Sequence, residues 1–242
     1  MQIDWTAIKE IVDETSEVKT YLLECPEGFT WEEGAHTHFA LEGFNAGEKP
    51  NRALVRHMSI STTPTEGVIG ITTRIKEQCS EFKSVLKSLQ IGDKVALFKT
   101  HSNVPLKRQQ QPIYLLSSGV GLATFRSVVL TYLANTQDVP SVYSLNVDSS
   151  KDYLFTDVFT SNAEKNFTAQ FVASRDAYYT EARELAKNTD ALFYVVGSNE
   201  FLTQNIELLR EAGVPTAQII LDKRPQQIEE LLGTAPTVLT EA

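Results

Sequence analysis

Short apolar, β-prone runs recur from Met1 to about Phe98: Glu17 to Cys25, Thr37 to Leu41, Leu54 to Ile60, Val68 to Ile75 and Lys94 to Lys99. Turn clusters separate them, among them Pro26-Glu27-Gly28, Glu33-Gly34, Gly43 to Gly47 and Pro64 to Gly67. Several short strands at such spacing predict an antiparallel barrel or sandwich. One helix interrupts the series. Ser80 can cap it, Phe82, Val85, Leu86 and Leu89 repeat at helical spacing, and Gly92-Asp93 supplies the turn that ends it.

The pattern changes after the polar run Lys107 to Pro112, which reads as a linker. Strand-like runs at Ile113–Leu116, Val142–Val147, Thr168–Ala173, Leu192–Val196 and Ala217–Leu221 alternate with helix-like segments near Thr124–Ala134, Tyr179–Lys187 and Glu200–Ala212. Alternation of this kind predicts a parallel sheet covered by helices. The fold expected is therefore two-domain: an antiparallel β-barrel over 1–109, then an α/β nucleotide-binding domain over 110–242 with a C-terminal extension. That extension holds a short helix candidate, Gln227–Leu232, and a weakly anchored tail containing Pro and Thr.

Composition narrows the function classes. A net charge of −9 and a pI of about 5.0 argue against broad nucleic-acid binding, which requires a basic surface. Two cysteines, Cys25 and Cys79, cannot between them hold an iron–sulfur cluster, and they are read as reduced thiols. The acidic start MQIDWTAIKEIVDE lacks the apolar run of a signal peptide, and no apolar stretch is long enough to span a bilayer. The expectation is a cytoplasmic protein.

The chemistry concentrates in Pro112 to Leu133. There a β-prone run leads into Ser117-Ser118-Gly119-Val120-Gly121 and then a helical segment. A strand, a glycine turn and a helix start together aim backbone N–H groups at an anion, and glycine lets the chain approach a phosphate closely. The spacing is G-x-G-x-x-T, an incomplete form of the dinucleotide fingerprint. By itself it fits a ligand-free tight turn equally well.

Further segments, taken in order, give the chain a resemblance. Arg56-His57-Met58-Ser59-Ile60-Ser61 resembles the R-x-Y-S-(I/L)-(A/S) strand end of the ferredoxin–NADP⁺ reductase family, with Met58 in place of the tyrosine. Thr73-Arg74-Ile75-Lys76 and then Cys79-Ser80-Glu81-Phe82 resemble that family's strand and helix start around the flavin pyrophosphate. Leu89 to Val95 resembles its L-x-x-G-D-x-V. Ser118 to Ser127 resembles its G-x-G-(I/L)-(A/T)-P-F-R-S nucleotide loop, with Thr124 replacing proline, and Tyr194 to Ser198 stands where it has Y-V-C-G-P. The resemblance spans about Glu10 to Asp222, and the shared order is more specific than any one motif.

The resemblance implies a flavoprotein oxidoreductase that passes a hydride from NAD(P)H to FAD, with FMN as the alternative, and electrons onward to an unidentified acceptor such as a redox protein. It places Arg56 on a flavin phosphate, Met58 against the flavin ring and Ser59 at the reacting edge as the catalytic residue. His57 and Ile60 belong to the same strand end. Thr73, Arg74, Cys79 and Ser80 fall around the flavin pyrophosphate. Gly119, Gly121 and Thr124, with Gly197 and Ser198, fall to the nicotinamide nucleotide, and Ser174-Arg175 resembles the pair with which NADP-using relatives hold the 2′-phosphate.

Several residues depart from the pattern. Val196 replaces a cysteine, Asp222-Lys223-Arg224 follows where a terminal aromatic usually closes the chain, and Thr100 to Asn103 lacks the usual glycines. A non-catalytic flavin or nucleotide sensor, or an electron-transfer subunit, is the competing expectation. Asp148 stands where many relatives carry arginine, and an exposed Asp148 turned to solvent leaves a slight preference for NADPH. His36 and His38 alternate on one strand face, mimic a metal pair and are read as structural, with no carboxylate or third ligand evident nearby.

Overall fold

In a computed structural model, residues 2–233 are described. The Pro- and Thr-containing tail beyond them lies outside the described residues.

Six antiparallel strands build the first half: β1 (Asp4–Asp13), β2 (Val18–Glu24), β3 (Ala35–Leu41), β4 (Val55–Ser59), β5 (Val68–Arg74) and β6 (Lys94–Ser102). Their order is β4-β3-β6-β1-β2-β5, and a bridge between Ile60 and Ile71 joins the two outer strands, curling the sheet into a barrel. Five of these strands coincide with the apolar runs; β1 was not expected. Only Thr6 and Ile8 are buried along it, and the β1–β2 register shifts between Ile8 and Glu10. A bulge at that point breaks the alternation that marks a half-buried strand, so the stretch reads as polar.

Helix α1 (Glu81–Ser88) plugs one end of the barrel, its start capped by Ser80, whose hydroxyl accepts from Lys83 N. Phe82 and Leu86 are fully buried among Phe39, Ile71 and Leu97, whereas Val85 is 37% exposed. In a helix of two turns the i, i+4 pair defines the whole buried stripe, and Val85 lies off it.

The second half alternates β7 (Ile113–Ser118), α2 (Leu122–Ala134), β8 (Val142–Val147), β9 (Phe167–Val172), α3 (Arg175–Ala186), β10 (Leu192–Val196), α4 (Asn199–Glu211), β11 (Ile219–Leu221) and α5 (Pro225–Leu232). All strands run parallel in the order β11-β10-β7-β8-β9. The order reverses at β7, and ligands of such sheets bind in the crevice that opens there, beyond the carboxyl ends of the strands.

Helix α2 fastens the halves together. Gly34 N donates to Ser127 Oγ (2.9 Å), and Arg126 donates to Ser61 O (3.0 Å) and pairs with Glu66 (2.9 Å). Gly34 has φ +69°, and a Cβ there would lie 2.7 Å from Val104, so a side chain would separate the segments. The Lys107–Pro112 linker is pinned at its start, where Lys107 N donates to the Tyr194 hydroxyl (3.0 Å) and that hydroxyl donates to Pro105 O (2.8 Å). No described helix is long and apolar enough to cross a membrane.

Candidate functional site

The crevice lies where the ends of β4 and β5 face the glycine turn after β7 and the end of β10. A cavity of about 400 Å³ occupies it, lined by Met58, Ser59 and Thr73 from the barrel and by Gly121, Thr124 and Val196 opposite. Ser59 Oγ and Thr124 Oγ1 meet across it at 2.8 Å. Thr124, expected on a nucleotide phosphate, is 3% exposed and turns its hydroxyl to the barrel instead. A Cβ on Gly121 would lie 3.0 Å from the Val196 carbonyl oxygen, so the turn packs directly on the end of β10. Gly197 is held bare by the Phe201 ring, 2.5 Å from where its Cβ would be, and Ser198 caps α4 by accepting from Phe201 N. These two therefore shape the crevice wall.

Below the crevice, Arg56 is brought to α1. Its Nη1 donates to the carbonyls of Val55 (2.7 Å), Ala53 (3.1 Å) and Arg52 (3.3 Å), and its guanidinium lies 5.0 Å from the Phe82 ring centroid. No carboxylate stands within ion-pair distance of it among the described residues. An arginine anchored by carbonyls beside a helix start suits an anion that accepts from both. Ser80 at that start is exposed, and Cys79 Sγ lies 3.5 Å from Ser84 Oγ. Ile60 differs from its neighbours in the motif. It is fully buried and packs in the barrel core.

Arg74, expected beside a flavin pyrophosphate, reaches to the parallel sheet and lies 3.9 Å from Glu17 of the barrel. Its Nη2 donates to Asp148 Oδ2 at 2.6 Å, and a Cβ on Gly119 would lie 3.5 Å from both groups. Asp148 is 7% exposed, not turned to solvent. Burial pushes its carboxyl up, but hydrogen bonds from Ser150 N and Oγ and the Arg74 charge outweigh that and hold it below the usual carboxylate range. Arg74 Nε is buried without a hydrogen-bond partner. A cavity of about 230 Å³ lies alongside, lined by Arg74, Gly119, Asp148, Arg175 and Tyr179 among others. Arg175 pairs with Glu200 (2.7 Å) rather than with Asp176 or Glu181, and Ser174 caps α3 by accepting from Ala177 N.

All four histidines of the chain gather on one face. In register, His38 faces His57 and His36 faces His101, with ring centroids 3.9 and 4.2 Å apart. Cross-strand pairing thus brings His57 and His101 beside His38 and His36, neighbours that spacing along the chain does not show. The arrangement offers no group of three or more ligands able to hold a metal among the described residues. The segment after β11 crosses this face. Asp222 accepts from Asn103 Nδ2 (3.0 Å) and lies 3.4 Å from His36 Nδ1, and Arg224 Nη2 is 3.1 Å from His57 Nε2. With Met58 and Ser59 these residues enclose a third cavity of about 270 Å³. Burial first, then the charges of His57, Lys99, Arg224 and His36, pushes His38 down to about 4, and burial and Arg224 lower His57.

Barrel, glycine turn and parallel sheet together are the ferredoxin–NADP⁺ reductase-like fold. A ferredoxin NADP⁺ reductase from Neisseria gonorrhoeae with bound FAD and NADP superimposes with a TM-score of 0.74 at 16% identity, covering 91% of this chain and 98% of that one. The CS-b5R domains of human Ncb5or in the NAD⁺ form match with a TM-score of 0.74 at 16% identity, over 92% of this chain and 70% of that chain. In sequence, the chain is similar to the NADPH-dependent diflavin oxidoreductase 1 of Eremothecium gossypii, 25% identical over an alignment of 182 residues that covers 63% of this chain. The chain covers 28% of the length of that relative. No protein-family model matches the sequence.

Proposed function

We propose that this chain is an NAD(P)H-dependent flavin oxidoreductase, passing a hydride from the nicotinamide nucleotide to FAD and electrons onward to an acceptor still to be identified. The observation that carries this reading is the crevice itself: Met58 and Ser59 face Gly121, Thr124 and Val196 across one cavity of about 400 Å³. Two planar rings brought together there would be held in register by walls already fastened to each other through α2. The bound flavin supplies the hydride acceptance and the electron transfer.

The residues present fit these groups. Arg56 and the start of α1 offer donors for the flavin phosphates, and the α1 start favours FAD, whose second phosphate it would hold. Met58 offers a polarizable face to an aromatic ring. Ser59 offers a hydroxyl at the reacting edge. On the nucleotide side, Arg74 Nη2, which pairs with Asp148 and lies near Gly119, supports a role for Arg74 at the nucleotide pyrophosphate rather than the flavin's. Cys25 and Cys79 are too few ligands for an iron–sulfur cluster, and the electron acceptor is left open.

Reconstitution with FAD tests the assignment. The protein should retain FAD through gel filtration and show flavin absorption bands. A protein that stays colourless after incubation with both FAD and FMN would remove the flavin reading.

A further inference from the structure

We infer that Thr124 is a positioning residue for Ser59, so that the nucleotide-side helix fixes the hydroxyl at the flavin-side reacting edge. The inference rests on the flavin oxidoreductase reading and adds a residue to it. The two oxygens lie 2.8 Å apart, a normal hydroxyl–hydroxyl hydrogen bond in which either can donate.

The two side chains differ in freedom. Ser59 stands half-buried at the end of β4 with an unbranched side chain, and its hydroxyl can occupy three staggered wells. Thr124 is 3% exposed in the first turn of α2, and its branched Cβ restricts χ1. A helical threonine commonly returns its hydroxyl to a carbonyl of the preceding turn. Thr124 instead spends it across the crevice.

Its helix is also anchored at the boundary. The next two polar residues of α2, Arg126 and Ser127, are bonded to Ser61, Glu66 and Gly34 of the barrel. The stiffer partner therefore sets the rotamer of the freer one. A donor must be held close to its productive geometry to count in a reaction. When Thr124 donates to Ser59, the Ser59 proton is left to point into the cavity, and the two bonds polarise each other.

The test uses Thr124→Val, which keeps the branched shape and removes the hydroxyl, and Thr124→Ser, which restores it. The inference predicts that Thr124→Val keeps FAD and nucleotide dissociation constants near wild type and slows flavin bleaching at saturating NAD(P)H by about tenfold, the size of one net hydrogen bond. Thr124→Ser recovers the rate. Thr124→Val also shifts the absorption bands of the bound flavin, a readout independent of turnover. In the double variant with Ser59→Ala, the rate is no lower than in Ser59→Ala alone, because Thr124 acts through Ser59. Wild-type rate and spectrum in Thr124→Val, or additive losses in the double variant, would overturn the positioning role. A wild-type protein that binds no flavin defeats the underlying reading, and the inference with it, and is distinguished from the first case by the spectrum alone.

Discussion

Arg74 reaches out from the end of β5 and donates to Asp148 at the end of β8, 2.6 Å away, beside Gly119. One residue belongs to the barrel and the other to the parallel sheet, so a charge pair ties the two halves together at the glycine turn. Both ends are fixed independently. Lys83 Nζ holds the Arg74 carbonyl at 2.6 Å, and Ser150 donates to Asp148 from both its N–H and its hydroxyl. The pair therefore holds the two halves in place beside the turn.

Arg74→Ala leaves Asp148 buried without its cation. The expected loss is about 1–3 kcal/mol of stability, or a fall of about 2–4 °C in Tm per kcal/mol for a chain of this size. Nucleotide affinity should fall while flavin content stays unchanged. A thermal melt and a titration with NADPH read both, and loss of flavin with intact nucleotide binding would put Arg74 on the other ligand.

Arg56→Ala should do the reverse. It removes a charge-assisted hydrogen bond worth about 1.5–3 kcal/mol, so flavin should be held about ten- to hundredfold less tightly. Fluorescence titration of the apoprotein with FAD measures it. Retention equal to wild type would show that Arg56 serves only its carbonyl partners.

Much of this architecture was legible in the residue pattern, because strands and helices announce themselves by period. The runs at Val142–Val147 and Leu192–Val196 coincide with β8 and β10 to the residue. What stayed hidden depends on register or on contacts distant in sequence. β1 was concealed by its bulge. The histidine group could not be seen because His57 and His101 meet His38 and His36 only through cross-strand pairing. Motif reading assigned Thr124 to the nucleotide and Arg74 to the flavin pyrophosphate, but their contacts follow from what they meet in the fold, Ser59 and Asp148, 65 and 74 positions away in sequence. The Asp222-Lys223-Arg224 segment registered only as a departure from the resemblance, although alternating charge after a final strand was the available signal.

Gly121→Val presses a branched side chain on the end of β10, since even a Cβ would meet the Val196 carbonyl oxygen at 3.0 Å. Overpacking of this kind costs about 1–3 kcal/mol. A lowered Tm with weakened NAD(P)H binding and unchanged flavin content is expected, read by melting and titration. Undiminished nucleotide affinity would detach the turn from the nucleotide.

Glu200 holds Arg175 at 2.7 Å in an exposed pair, and the hydrogen bond and charge of Arg175 keep its carboxyl below the usual range. Glu200→Gln should release Arg175 and raise affinity for NADPH relative to NADH, because a 2′-phosphate then meets an unpaired guanidinium. Arg175→Ala should lower NADPH affinity and leave NADH unchanged. Paired dissociation constants decide it, and an unaltered ratio in both variants would remove Arg175 from the 2′-position.

Acid should loosen the histidine face. His38 is held down to about 4, so between the ordinary value of 6.5 and about 4 the unfolded chain binds a proton that the folded chain does not. Stability therefore falls as pH falls through that window. Protonated His57 could no longer accept from Arg224. Asp148 acts in the same direction at lower pH, below the usual carboxylate range, as its pairing with Arg74 is lost. Melting temperature against pH for wild type and His38→Asn reads the effect. Parallel curves for the two proteins would contradict it.

The most direct test of the central claim is an anaerobic absorption spectrum of the FAD-loaded protein before and after addition of NADPH, repeated with NADH. The account predicts flavin bands that bleach with at least one nucleotide and return when an electron acceptor is added. Bands that persist unchanged with both nucleotides would contradict it.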